Sequence, residues 1–135
     1  MTKNFKPLLF EEKETVRKII FCSGKIFYDL IEEVPSDILI VRIEQLYPLP
    51  VKEIIALLKT YKKISATFIQ EEPANMGFMQ YLKSCDLPFD YLARPSSSSP
   101  STGFSKFYEK ATSFCCCRSF LRANAECTAN QIRRV

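Results

Sequence analysis

The residues able to do chemistry fall into four short segments, each directly after an apolar run: Cys22-Ser23-Gly24-Lys25, Glu44-Gln45-Leu46-Tyr47-Pro48, Gln70-Glu71-Glu72-Pro73 and Arg94-Pro95-Ser96. Ser23-Gly24-Lys25 opens a helical pattern, so its backbone N–H groups and the Lys25 ammonium suit an anion. A tight strand-to-helix turn explains the single glycine more simply. Arg94 carries a guanidinium that forks onto a phosphate or carboxylate; an internal salt bridge to Glu71 or Glu72 is the competing expectation. Glu71 and Glu72 are adjacent and diverge in an extended loop, so their spacing does not make an acid–base pair. Capping of the next helix or pairing with a lysine is expected of them. Cys22 ends a buried run and packs as a small apolar side chain. Ser96–Ser99 reads as a loop.

The 135-residue chain contains no histidine. That excludes His-based acid–base catalysis, Ser-His-Asp triads and most zinc sites. Of six cysteines, Cys22 and Cys85 lie in the body and Cys115, Cys116, Cys117 and Cys127 near the C-terminus, with no CxxC pair. The spacing fits reduced thiols better than a metal site or a secreted disulfide framework. Nothing in the sequence activates a nucleophile, and there is no P-loop and no GxGxxG. The net charge is +4. Residues 1–113 hold 15 basic and 14 acidic residues, and residues 114–135 hold four arginines and one glutamate. A body so balanced gives no footprint for nucleic acid. No run approaches the ~20 apolar residues of a membrane helix. The MTKNFKPLLFEEKE start resembles neither a secretory signal nor a transit peptide, so a cytoplasmic location is expected.

The elements that must position these segments alternate between strand and helix. KIIFC (Lys18–Cys22) is a β-branched strand, and Ile26–Glu33 has helical apolar spacing at Ile26, Phe27, Leu30 and Ile31. DILIVRI (Asp37–Ile43) is apolar on both faces except at Arg42, which predicts an interior strand covered on both sides. Val51–Tyr61 is predicted as an amphipathic helix with Val51, Ile54, Ile55, Leu58 and Tyr61 on one face. Ile64–Gln70 is a third strand, EEPANMG (Glu71–Gly77) a loop, Phe78–Ser84 a short helix and Phe89–Ala93 a fourth strand. Arg94–Gly103 is an extended loop and Phe104–Thr112 a last helix. The fold class is therefore α/β: a small, mainly parallel sheet with helices on both faces. Residues 1–14 are expected as an N-terminal extension, 15–112 as the domain, and 113–135 as a basic, Cys-rich tail that packs poorly. All four chemistry-bearing segments then meet at the carboxyl ends of the strands, where open parallel sheets bind ligands.

Four motifs in order carry a resemblance to a known family. FCSGKIFYDL (Phe21–Leu30), VRIEQLYP (Val41–Pro48), QEEPANMG (Gln70–Gly77) and ARPSSSSP (Ala93–Pro100), followed by Gly103, resemble the C-terminal domain of the thiamine-dependent component of 2-oxoglutarate dehydrogenase. The resemblance covers Thr15–Gly103. It implies a transketolase C-terminal-like fold that contributes to assembly in the oxidative decarboxylation of 2-oxoglutarate, a step of the tricarboxylic acid cycle. The family uses thiamine diphosphate and magnesium, whose ligands belong to preceding domains, so no cofactor and no catalytic residue is expected in this chain and the chain alone is expected to be inactive. The implied partners are those upstream domains, the succinyltransferase component and a second copy in a homodimer, with neither nucleic acid nor membrane. For an effector site taking a nucleotide or acetyl-CoA, the matching positions are Gln70 and Arg94, with Lys25 a further candidate. A stand-alone nucleotide- or acyl-CoA-binding module is the alternative reading. The chain departs from the family pattern where Phe68-Ile69 replaces a tryptophan-containing pair, around Lys83–Pro88, which looks shortened, and from Phe114 onward. A truncated or remnant form of the enzyme accounts for those departures.

Overall fold

A computed structural model of the chain describes residues 5–62 and 64–100. The element order is β1 (Leu8–Leu9), β2 (Lys18–Cys22), α1 (Ile26–Glu33), β3 (Ile38–Ile43), α2 (Val51–Thr60), β4 (Ala66–Pro73), α3 (Met79–Ser84) and β5 (Asp90–Arg94). They build one five-stranded sheet in the order β1-β3-β2-β4-β5. β2 pairs in parallel with β3 and β4, and β4 with β5, whereas β1 pairs antiparallel with β3. The α/β class and the four parallel strands agree with the sequence. The expected helix at Phe104–Thr112 and the tail at 113–135 lie outside the described residues.

Each strand's alternation decides which face it covers. Ile19, Phe21, Leu39, Val41, Ile43, Ala66 and Phe68 point to one face, where α2 contributes Ile54 and Leu57 and α3 contributes Met79 and Leu82. Ile20, Cys22, Ile38, Ile40 and Ile69 point to the other and meet Ile26 and Leu30 of α1. A strand buried on both sides must be apolar at consecutive positions, which is why KIIFC and ILIVRI read as runs rather than as alternations. Gly24 has φ +74° and ends β2 in a conformation that favours glycine. α1 closes with the Val34 N–H donating to the Leu30 carbonyl at 3.0 Å, and Pro35 prevents a further turn.

Three sequence expectations change in detail. Within the expected extension, Leu8 and Leu9 form the antiparallel edge strand that makes β3 interior. A two-residue strand is too short for any periodicity to signal. On α2, Leu57 takes the inward position expected of Ile55, which is 38% exposed. The third difference is at β4, which continues through Glu71 and Glu72 to Pro73. After an irregularity between Ile69 and Pro73, Pro73 falls opposite Arg94 of β5. Proline is tolerated there because it is the last residue of the strand and no further ladder bond depends on its nitrogen.

Thr67 sits in β4, 1% exposed, and its hydroxyl has no hydrogen-bond partner. An unpaired buried hydroxyl costs stability that a methyl group of the same shape does not. Thr67→Val is therefore expected to stabilise the chain by about 1 kcal/mol, read as a higher urea midpoint with an unchanged slope.

Candidate functional site

The chain leaves β2 through α1 to β3 on one side and returns through α2 to β4 on the other side of β2. The connections after β2 and β4 thus run in opposite directions, and in open α/β sheets this switch point is where ligands settle. Ser23-Gly24-Lys25 and the Gln70–Gly77 segment flank it.

Gln70 is 4% exposed. Its Nε2 lies 2.8 Å from the Met76 carbonyl, 3.1 Å from that of Pro73 and 3.3 Å from that of Glu72. Its Oε1 accepts from the Met79 N–H at 2.9 Å. One side chain thus closes the Glu71–Gly77 turn upon itself and satisfies a donor at the start of α3. Gly77 completes the arrangement. Its φ is +70°, and a Cβ there would lie 3.0 Å from Gln70 Oε1 and 3.1 Å from Glu72 Cβ. Gly77→Ala combines left-handed strain of roughly 1–2 kcal/mol with that close approach, and is expected to cost about 2 kcal/mol in chemical denaturation.

Arg94 is 7% exposed. Its Nε donates to the Glu71 carbonyl at 2.6 Å and its Nη2 to the Pro100 carbonyl at 2.7 Å. The guanidinium therefore binds one backbone oxygen at the end of β4 and one on the loop that follows β5. The Ala74 N–H donates back to the Arg94 carbonyl at 2.9 Å. Asn75 adds a second tie between the loops: its Nδ2 donates to the Ser97 carbonyl and its Oδ1 accepts from the Ser97 N–H, both at 3.0 Å. Gln70, Asn75 and Arg94 knit the QEEPANMG and ARPSSSSP segments into one rim.

Lys25 enters the rim from the other side of the sheet's core. It is exposed and precedes α1, whose Ile26 and Leu30 pack on the opposite face from α3. Gln70 turns toward α3, where its Oε1 meets the Met79 N–H. The structure brings Gln70 and Arg94 together through the Glu71–Pro73 backbone.

Arg42 is a feature of the rim that sequence reasoning did not single out as functional, although it is the one charge inside β3. Its Nη1 donates to the Tyr28 hydroxyl at 2.9 Å, its Nε pairs with Glu44, and its guanidinium lies 4.8 Å from the Phe27 ring centroid and 5.3 Å from that of Tyr28. The Tyr28 bond and the Glu44 carboxylate push its pKa above the ordinary guanidinium value. This pinned cation joins the exit of β3 to α1.

The described residues do not fit a diphosphate–metal cradle. Among them no three His, Cys, Asp or Glu side chains converge as metal ligands, and the rim's buried polar groups hold backbone carbonyls. An open depression of about 760 Å³ lies between residues 6–14 and α2, with Glu12, Glu14 and Glu53 among its lining residues. Among the described residues, no helix is long and apolar enough to cross a membrane.

Residues 1–120 match the sequence pattern described as 2-oxoglutarate dehydrogenase C-terminal. An oxoglutarate dehydrogenase of Buchnera aphidicola subsp. Baizongia pistaciae is 40% identical over 111 residues, covering 73% of this chain and 12% of that protein. The 2-oxoglutarate dehydrogenase E1 component of Rickettsia prowazekii is 39% identical over 123 residues, 78% of this chain and 13% of the relative. A mitochondrial 2-oxoglutarate dehydrogenase of Dictyostelium discoideum is 36% identical over 108 residues, covering 70% and 11% respectively. The chain thus spans only 11–13% of the length of these relatives, and the family match runs past the expected boundary at residue 112.

Proposed function

The chain belongs to the 2-oxoglutarate dehydrogenase C-terminal family, and from that premise we propose that it acts as an assembly domain of a succinyl-transferring 2-oxoglutarate dehydrogenase. The observation that carries this reading is the rim. Gln70, Asn75 and Arg94 lock two loops into a fixed surface rather than offering free groups to a substrate. A surface of that kind suits contact with another protein part. Thiamine diphosphate and magnesium, which the family uses, supply the decarboxylation chemistry from elsewhere in the enzyme. The succinyltransferase component and a second copy of the enzyme are the further partners in this reading.

The test is reconstitution. The E1 component of Rickettsia prowazekii, shortened to omit the matched C-terminal region, is mixed with the full 135-residue chain. Co-elution and a gain in 2-oxoglutarate decarboxylation are expected, with no turnover by the chain alone. Failure of the two to associate would refute the reading.

Binding of AMP or acetyl-CoA by Lys25, Gln70 and Arg94 has weaker support. It needs free groups that converge, whereas the Gln70 amide and the Arg94 guanidinium are already spent on backbone groups. Calorimetry at millimolar ligand decides it, since heat that disappears in Lys25→Ala would establish such a site.

A further inference from the structure

An apolar ridge crosses the rim from the core to solvent. Phe68, 1% exposed, has its ring centroid 6.2 Å from that of Phe78; Phe78 is 5.3 Å from Tyr81; and Tyr81 is 6.0 Å from Tyr47. Tyr47 is 81% exposed, and its neighbour Leu46 is 38% exposed. The loop that displays them is braced. Gln45 Nε2 donates to the Pro48 carbonyl at 2.6 Å, and the Glu44 and Gln45 N–H groups donate to the Pro7 carbonyl at 2.9 and 3.3 Å. Apolar groups fixed in solvent on a braced loop mark a contact surface better than apolar groups on a mobile one.

The same hydrogen bonds show what lies beside the ridge. β1 runs antiparallel to β3 with Leu8 opposite Ile43. The Pro7 carbonyl therefore lies at the exit of β3, and Phe5, two residues ahead of it in the chain, is 67% exposed. In relatives such as the Rickettsia prowazekii component, the matched region is 13% of the protein and belongs to a C-terminal family, so most of the relative's chain precedes it. That chain reaches the domain at the rim that carries Leu46 and Tyr47.

We propose that Phe5, Leu46, Tyr47 and Tyr81 form the surface on which the preceding domain of a 2-oxoglutarate dehydrogenase E1 component docks. This rests on the assembly reading above and names its contact. Tyr28 and Ile31 on α1, at 58% and 51% exposure, lie on the opposite face and serve as the control.

The experiment uses the full chain and the shortened Rickettsia prowazekii E1 component. Leu46→Asp/Tyr47→Asp is expected to weaken co-elution at least tenfold while melting at the wild-type temperature, because both side chains are exposed. Ile31→Asp is expected to bind as wild type. A photo-crosslinking residue at position 47, which needs no destabilising charge, should label the E1 component, and one at position 31 should not. A folded double variant that binds like wild type overturns the docking surface and leaves the assembly reading standing. Loss confined to Ile31→Asp, or crosslinks from position 31 alone, does the same. No association by the wild-type chain overturns the assembly reading and the docking surface with it. Self-association abolished by the double variant, with E1 binding intact, would make the ridge a contact between copies and overturn the proposal.

Discussion

Arg94→Ala is expected to destabilise the chain by roughly 3–5 kcal/mol with no ligand present. The side chain is 7% exposed, and it donates to the carbonyls of Glu71 and Pro100 at 2.6 and 2.7 Å. A hydrogen bond from a charged group contributes roughly 1.5–3 kcal/mol, and removal of the donor leaves two carbonyls short of a partner. The substitution leaves in place the bond from the Ala74 N–H to the residue 94 carbonyl and the Asn75–Ser97 pair, so the two segments stay tethered while the guanidinium's own bonds are lost. Arg94→Lys keeps a positive donor but loses the planar fork, so it is expected to recover only part of the loss. Urea unfolding of the two variants beside wild type makes the measurement. An Arg94→Ala chain as stable as wild type would show that these two bonds do not hold the segments together.

Much of this architecture could be read from residue order, and the exceptions have physical causes. The β2, β3 and α2 segments are legible because their burial requires consecutive apolar residues or a 3.6-residue stripe, both visible in one dimension. The exchange of Ile55 for Leu57 on α2 is not visible there, because both fall near the edge of the same stripe and the position of the sheet decides between them. β1 is invisible for a different reason. Its two leucines become a strand only because the β3 edge supplies partners. Family membership was legible from the four motifs, and the matching sequence pattern extends that assignment to residues 1–120. The roles of Gln70 and Arg94 were the hardest to see. A polar residue at a strand end presents the same letter whether it faces a ligand or folds back on its own loop. Only the positions of the Pro73, Met76 and Glu71 carbonyls separate the two. Gly77 was the available signal: a glycine seven residues after a glutamine, in a turn where φ must be positive, leaves room for that glutamine to fold inward.

Gln70→Glu tests that inward fold most sharply. The two side chains share a shape, but Glu replaces the Nε2 donor with an acceptor. One oxygen can still accept from the Met79 N–H, whereas the other would face the carbonyls of Glu72, Pro73 and Met76. At neutral pH a carboxylate in that position is both desolvated and opposed by three carbonyl dipoles. A loss of roughly 3–5 kcal/mol is expected, as for an unpaired buried charge. Burial and the carbonyl dipoles both disfavour the charged form, so the folded-state pKa of this Glu rises above its unfolded value of about 4.3. A raised carboxyl pKa means that folding takes up a proton. The deficit is therefore smallest below about pH 4.3, grows as pH rises through the interval between the two pKa values, and is complete above the folded value. Protonated Glu can also donate one hydrogen bond to a carbonyl, which restores part of the native network. Gln70→Leu removes the same donor without adding charge, and its deficit is expected to be independent of pH. Parallel urea titrations of both variants and wild type across the acid range give the comparison. A Gln70→Glu deficit that stays constant with pH would mean that residue 70 turns outward to solvent and that the rim is held together by other groups.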